Sequence, residues 1–149
     1  LEGLGVDALG VNCSLGPKQL EGVIDEILKY SSTPVILKPN AGLPASDGER
    51  TYYDVDAESF AECVAAMAKK GVGIIGGCCG TTPEYIKKTV EATKNIKFEP
   101  IPQKNFTVVS SYTHAVRIGE KPILIGERIN PTGKKDSRLH LWKMIWHIS

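Results

Sequence analysis

The sequence lacks an excess of charge of either sign, a long apolar run and a targeting leader. Its 149 residues include 18 basic and 17 acidic side chains, a formal net charge of +1. A balance so close to neutral gives no support for nucleic acid or an acidic membrane surface as a partner. No apolar run is long enough to span a bilayer, and we find no leader in which a basic segment precedes an apolar one. What is present, 42% hydrophobic residues, is typical of a globular protein with a buried core.

Cysteine is also scarce, and its spacing excludes a disulfide framework. The four cysteines, Cys13, Cys63, Cys78 and Cys79, are not spaced like those of a small secreted domain, and adjacent cysteines rarely pair with each other. Metal binding or catalysis in a reducing compartment is the better interpretation. We therefore predict a cytoplasmic protein.

The first hundred residues alternate short apolar strands with amphipathic helices. The predicted strands cover residues 8–13, 35–37 and 72–76, and the predicted helices cover residues 17–30, 57–70 and 83–94. Three strand–helix units in succession predict an α/β fold with parallel strands, covered by helices on both faces. Residues 41–54, rich in Gly, Pro and Asp, are predicted to form a loop.

The residues with chemical potential all follow a strand. Asn12 and Cys13 come after the first, Lys38-Pro39-Asn40 after the second, and Cys78 and Cys79 after the third. The carboxyl ends of parallel strands share one rim, which in a barrel is where chemistry occurs. We therefore expect the three cysteines to meet there.

Three thiolates are suitable ligands for one zinc ion. Zinc prefers thiolates, and three protein ligands leave a fourth position open for water or substrate. Neighbouring residues of a straight strand point to opposite faces, so Cys78 and Cys79 can share a metal only if the backbone turns there. The flanking Gly77 and Gly80 permit such a turn. A substrate thiol in the open position would lose its proton and become a nucleophile.

Other interpretations of these residues stay open at this point. Cys63 has core spacing on the second helix, so we predict that it is a small buried hydrophobe. Cys78 and Cys79 could pack beside a tight turn, or belong to a closed structural zinc site or a redox sensor. The glycines before the helix start at Thr82-Pro83 could instead bind a phosphate.

Three segments together resemble the zinc-dependent homocysteine methyltransferases. They are Gly10-Val11-Asn12-Cys13, Lys38-Pro39-Asn40-Ala41-Gly42-Leu43-Pro44 and Gly76-Gly77-Cys78-Cys79-Gly80. The resemblance implies a (β/α)8 TIM-barrel type of fold, of which residues 1–95 would form the last three strand–helix units. It also implies that Cys13, Cys78 and Cys79 bind zinc, and that a methyl group passes to the zinc-bound thiolate of homocysteine to give methionine.

The second half of the chain indicates which branch of this family the sequence resembles. We predict a linker over residues 96–104, two short strands joined through Tyr112-Thr113-His114, and a further buried strand at Ile123-Leu124-Ile125. The following run, residues 126–135, resembles the opening of the pterin-binding barrel that accepts methyltetrahydrofolate. Residues 105–135 would then begin a second barrel with its first strand, and residues 136–149 have no assignment.

The order of a homocysteine barrel followed by a pterin barrel is similar to that of the cobalamin-dependent branch. That resemblance implies cobalamin as methyl carrier, held by a domain of the parent chain that is absent here. It also implies pterin binding by Glu127 and Asn130; the alternative for Asn130-Pro131-Thr132-Gly133 is a simple turn. The branches using betaine or S-methylmethionine share the cysteine segments and are the alternative.

The isolated chain is expected to be inactive. Residue 1 is a leucine in what resembles continuing sequence, and a full barrel needs about 250 residues. We expect the remaining units to supply the contacts to the amino and carboxylate groups of homocysteine. An incomplete barrel also has an open sheet edge. We therefore expect weak zinc binding or none, and no turnover.

Overall fold

The structure, a computed structural model, describes residues 1–124. After a short 3-10 turn at Glu2–Leu4, the elements in chain order are β1 (Leu9–Asn12), α1 (Pro17–Tyr30), β2 (Val35–Lys38), β3 (Pro44–Ser46), β4 (Thr51–Tyr53), α2 (Ala57–Lys70), β5 (Val72–Ile75), α3 (Pro83–Thr93), β6 (Thr107–Ser110) and β7 (Ala115–Ile118). The chain divides into two units, Leu1–Asn105 and the residues from Phe106 onward. No helix in the described part is long and apolar enough to cross a membrane.

The first unit is built on a parallel sheet, as predicted. Its strand order is β1-β2-β5, and both pairings are parallel, with Leu9 opposite Val35 and Ile36 opposite Ile74. This confirms the mixed α/β class. Within residues 1–124, β1 and β5 each have a neighbouring strand on one side only.

The expectation that helices cover both faces of the sheet is wrong for the described residues. In β2, Val35 and Leu37 are fully buried, whereas Ile36 is half-buried and Lys38 is exposed. The buried side chains join one core with residues of α1 and α2: Leu20, Ile24, Val35, Leu37, Phe60, Val64, Met67 and Val72. Because this core lies on a single face, burial alternates along β1 and β2 despite their continuous apolar sequence.

The three helices begin and end where the local sequence predicts. Asp56 caps α2, since its carboxylate accepts hydrogen bonds from the backbone N–H groups of Glu58 and Ser59. Gly71 ends α2 at φ 121°, a conformation that favours glycine. Thr82 occupies the position before α3, as expected, but its side chain makes no capping hydrogen bond.

The predicted loop between residues 41 and 54 contains a short hairpin. Strands β3 and β4 pair antiparallel, with Pro44 opposite Tyr53 and Ser46 opposite Thr51. Three-residue strands are too short for an alternating pattern to be recognised, and the Gly, Pro and Asp content favoured a loop. The hairpin is relevant to function because it brings Tyr53 toward the cysteines.

The residues predicted as a linker, 96–104, pack partly against the first unit. The Phe98 ring lies against Gly73, and Ile101 contacts the core. The backbone N–H of Lys104 donates a hydrogen bond of 2.8 Å to the Ser32 hydroxyl.

In the second unit, the structure describes residues 106–124. The two predicted strands are confirmed as β6 and β7, paired antiparallel with Val109 opposite Val116. The predicted strand at Ile123-Leu124-Ile125 is wrong for its described part, because Ile123 and Leu124 lie in no strand and are exposed. A buried strand needs neighbours on both sides, and none of the described strands pairs with these residues.

Candidate metal centre

Three of the four cysteines come together at the carboxyl end of the parallel sheet. The sulfur atoms of Cys13 and Cys79 are 3.6 Å apart, and those of Cys78 and Cys79 are 3.8 Å apart. All three sulfurs lie within 4.8 Å of one another, and none is in a disulfide. Tetrahedral zinc with bonds of about 2.3 Å to sulfur places its ligand sulfurs about 3.8 Å apart. The spacing and the all-thiol donor set therefore fit zinc.

Cys13 is held in an uncommon backbone conformation. Cys13 and Ser14 have φ angles of 65° and 67°, in the left-handed region that side chains other than Gly, Asn and Asp rarely adopt. The Cys13 N–H donates to the carbonyl of Lys38 at 2.9 Å, and the Leu15 N–H donates to the Cys13 carbonyl at 2.9 Å. The surrounding hydrogen bonds maintain the unusual turn, which is common at functional sites.

The backbone turns at Cys78 and Cys79, so adjacent residues can present their sulfurs to the same point. The Thr81 N–H and hydroxyl both donate to the Cys78 carbonyl, at 3.2 and 2.7 Å. Gly80 adopts φ 78°, and a side chain at Gly77 would meet the Thr81 hydroxyl at 2.5 Å. Both glycines are therefore required by the turn, as the sequence indicated.

The segment that follows β2 joins the two cysteine loops. The N–H of Cys78 donates to the Pro39 carbonyl at 2.8 Å, and the N–H of Ala41 donates to the Cys79 carbonyl at 2.9 Å. The buried Asn40 accepts from the Cys79 N–H at 3.1 Å through its side-chain oxygen, and its own N–H donates to the Leu15 carbonyl at 3.0 Å. Sequence reasoning noted Asn40 at the rim but gave it no role in the site.

The surroundings of the cluster shift the pKa values of Cys13 and Cys78 in opposite directions. A hydrogen bond from the Ser14 backbone, followed by hydrogen bonds from the Cys78 and Cys79 thiols, lowers the pKa of Cys13 below the ordinary thiol value. The same cluster raises the pKa of Cys78, first through its hydrogen bond with Cys13 and then through burial. A thiolate is thus favoured at Cys13, whereas ionisation of Cys78 is disfavoured.

This ordering predicts the pH dependence of alkylation in the metal-free chain. Iodoacetamide should modify Cys13 before Cys78 at a pH below the ordinary thiol pKa, because a lowered pKa gives more thiolate, the reactive form, at a given pH. The chain is treated with short pulses of iodoacetamide between about pH 6 and about pH 9, an interval that extends well below the ordinary pKa of a free thiol. Peptide mapping by mass spectrometry then measures the order of modification. Modification of Cys78 first would contradict the assignment.

Tyr53 is a neighbour of the cluster that sequence reasoning did not single out. Its ring lies against Gly80, and its hydroxyl is close to the sulfurs. Burial raises the pKa of Tyr53, as do the charge of Cys79 and a hydrogen bond with it. Tyr53 lies in a segment rich in Gly and Pro that has no hydrophobic periodicity, so the sequence contains no signal that would place its side chain beside the cysteines.

The other residues considered from the sequence lie elsewhere. Cys63 is half-buried on α2 and does not belong to the sulfur cluster. Glu127 and Asn130, the expected pterin-binding residues, lie outside the described residues, as does the unassigned tail.

A parallel α/β unit with three thiols at the carboxyl end of its sheet is the architecture of a thiolate metal-binding domain. Comparison with known protein families shows which family it belongs to. The sequence profile of the homocysteine S-methyltransferase family matches residues 1–93. The chain therefore belongs to that family, as the cysteine segments indicated.

Curated relatives narrow the likeness to one kind of enzyme. The methionine synthase of Mycobacterium tuberculosis is 37% identical over 142 residues, and that of Mycobacterium leprae is 35% identical over 143 residues. These matches cover 93% and 91% of this chain but only 12% of each relative. The chain thus spans about an eighth of the length of these relatives.

Proposed function

We propose that Cys13, Cys78 and Cys79 bind one zinc ion that activates the thiol of homocysteine for methylation. The observation that carries this proposal is the distance between sulfurs, 3.6 and 3.8 Å, which fits tetrahedral thiolate ligation. Zinc, when bound, supplies a Lewis acid whose fourth position lowers the pKa of an incoming thiol. Among the His, Cys, Asp and Glu side chains of residues 1–124, the cluster comprises these three thiols, which suits an open rather than a closed site.

The residues of the chain have distinct parts in this proposal. The turn at Cys13 and the turn at Cys78-Cys79 present three sulfurs to one point, and Asn40 fixes the backbone of Cys79. Cys79 is exposed, so the open side of the cluster is accessible to a substrate thiol from solvent. A hydrogen bond from the Ser14 backbone, and then hydrogen bonds from the Cys78 and Cys79 thiols, favour a thiolate at Cys13 even without metal.

We further propose that the chain is part of a methionine synthase. The likeness to methionine synthases covers 93% of the chain and therefore extends past residue 93, where the family match ends. This favours the cobalamin-dependent reaction, with a methyl group passing from methyltetrahydrofolate through cobalamin to homocysteine, over the betaine or S-methylmethionine alternatives.

Several further assignments belong to the same proposal. Residues 1–95 would form the last three units of a (β/α)8 barrel, and residues 105–135 the start of a pterin-binding barrel. Glu127 and Asn130 would contact the pterin, cobalamin would be bound by another domain of the parent chain, and the location would be cytoplasmic.

Zinc-edge X-ray absorption tests the activation site directly. We expect three sulfur ligands and one light atom in the zinc-loaded chain, and four sulfurs after homocysteine is added, because the substrate thiol takes the open position. Serine, which cannot supply the thiol, should leave the spectrum unchanged. Because the incomplete barrel is expected to bind zinc weakly, the same measurement is made on a version of the chain extended to the whole first barrel. Absence of bound zinc from both, or a closed site that ignores homocysteine, would reject the proposal and favour a structural or redox role.

The purified 149-residue chain should form no methionine from homocysteine and methylcobalamin. It contains three strand–helix units of the proposed eight-unit barrel, so contacts to the amino and carboxylate groups of the substrate are expected to be incomplete. Mass spectrometry of the reaction mixture measures the product. Methionine above the rate found with chain alkylated at its cysteines would contradict this expectation.

A further inference from the structure

The β3–β4 hairpin places an aromatic side chain against the cysteine turn. At Gly80, a side-chain carbon would overlap Tyr53, with its Cγ atom at 2.5 Å and its Cβ atom at 3.0 Å. The Tyr53 ring therefore fills the space that the missing side chain of Gly80 leaves. Tyr53 is half-buried, whereas the adjacent Tyr52 is 53% exposed.

The backbone on both sides of Tyr53 is tied to the metal loops. Pro44 pairs with Tyr53 across the hairpin. Two residues later, the N–H of Val55 donates to the Ala41 carbonyl at 3.0 Å, and the Ala41 N–H in turn donates to the Cys79 carbonyl. Because one short relay of hydrogen bonds connects Val55 to Cys79, the backbone that carries Tyr53 is held close to the cysteine turn.

A second contact anchors the end of the hairpin. The Tyr85 hydroxyl, on α3, donates to the Val55 carbonyl at 2.6 Å, and the Asp54 carboxylate accepts from the Leu43 N–H at 3.0 Å. The hairpin is thus fastened at its base by groups from α3 and from the segment after β2. Because the base of the hairpin is attached on two sides, we infer that the hairpin keeps Tyr53 beside the cluster and does not move as a flexible lid.

The phenol hydroxyl has a suitable acceptor in the cluster. The Tyr53 phenol lies close enough to Cys79 to interact with its thiol, and the charges of Cys13 and Cys78 also act on it. A metal-bound thiolate keeps lone pairs that accept hydrogen bonds, and such a bond draws electron density from the sulfur and fixes its orientation. A phenol O–H is the matching donor.

We propose that Tyr53 is a positioning residue of the metal centre, whose hydroxyl donates a hydrogen bond to the ligand sulfur of Cys79 while its ring packs on Gly80. The inference rests on the proposed thiolate metal site. It adds a role for the β3–β4 hairpin: to set the orientation and electron density of one ligand sulfur.

Cobalt(II) titration of the chain tests this role, because cobalt replaces zinc and reports thiolate ligation through absorption bands. Tyr53→Phe keeps the ring and removes the hydroxyl. We expect its sulfur-to-cobalt charge-transfer band to move to longer wavelength, since a sulfur without the hydrogen bond donates electrons more readily. Affinity for the metal should nevertheless fall about tenfold, at the lower end of the effect of losing a partner in the outer shell, because the thiolate loses a hydrogen bond that stabilises its charge and fixes its orientation.

Tyr52→Phe is the matched control, since it makes the same chemical change on the adjacent, exposed residue. It should reproduce the wild-type band and affinity. If wild type binds cobalt through thiolates and Tyr53→Phe has the same band and affinity, the role of Tyr53 is rejected while the metal centre stands. If neither the wild-type chain nor a version extended to the whole first barrel shows a thiolate band at saturating cobalt, the metal centre itself is rejected, and the inference with it.

Discussion

Replacement of Cys78 by serine is expected to lower the affinity of the chain for zinc by more than about 100-fold, the upper end of what loss of an outer-shell partner costs. Cys78 is part of the cluster in which all sulfurs lie within 4.8 Å, so the substitution removes one of three ligands rather than a group behind a ligand. A serine hydroxyl is a poor substitute because it stays protonated, whereas zinc prefers thiolate. Competition with a chromophoric chelator measures the affinity.

The fourth cysteine supplies the control for this substitution. Cys63 is half-buried on α2 and outside the cluster, so Cys63→Ser makes the same atomic change without touching a proposed ligand. Its zinc affinity should equal that of wild type. Equal losses in Cys63→Ser and Cys78→Ser would show that zinc binds through nonspecific thiol chemistry, and an unchanged Cys78→Ser would remove Cys78 from the ligand set.

The positions of the ligands along the fold could be predicted because strand ends share a rim. Cys13 follows β1 and Cys78 follows β5, with β2 between them in a parallel sheet. Hydrophobic runs, helix periodicity and the glycines at helix ends were sufficient for this placement. The turn at Cys78 and Cys79 could also be anticipated, since adjacent side chains can converge only where the strand ends.

The fine structure of the site could not be predicted, because it depends on contacts between distant segments. The left-handed backbone of Cys13 and Ser14 is maintained by hydrogen bonds with residues beyond the turn, and neither residue type favours that conformation alone. Asn40, which accepts a hydrogen bond from the Cys79 N–H, precedes Cys79 by 39 residues in the sequence. Tyr53, whose side chain lies beside Cys79, precedes it by 26 residues. Nothing in the local pattern around either residue reports such a partner.

The burial of the sheet shows a different limit of sequence reasoning. Continuous apolar strands predicted helices on both faces, yet Ile36, Lys38 and Ile74 are not part of the buried core in the described unit. An apolar run shows that a strand can be buried on both sides, but the identity of the second layer depends on which other residues are available to form it. The strand expected at residues 123–125, the first of the second barrel, is wrong in its described part for the same reason: an apolar run does not show which other residues will cover it.

Gly10→Ala should destabilise the first unit and weaken the metal site together. Gly10 lies in β1 opposite Ile36, and a side-chain carbon at Gly10 would overlap the Ile36 carbonyl oxygen and approach its carbonyl carbon and nitrogen to 2.6 and 2.7 Å. Backbone atoms cannot rotate away, so β1 must separate from β2. We expect a loss of about 1 to 3 kcal/mol in the free energy of unfolding, the usual range for overpacking, measured by urea unfolding.

The effect should extend to zinc because β1 carries Cys13. The Cys13 N–H donates to the Lys38 carbonyl at the end of β2, so separation of these strands shifts one ligand sulfur relative to the other two. Gly22→Ala is the control with the opposite expected sign: Gly22 lies within α1 with open space around it, and alanine favours a helix interior by about 1 kcal/mol. If Gly10→Ala retained both wild-type stability and wild-type zinc affinity, the close approach of β1 to β2 could not be what places Cys13 in the cluster.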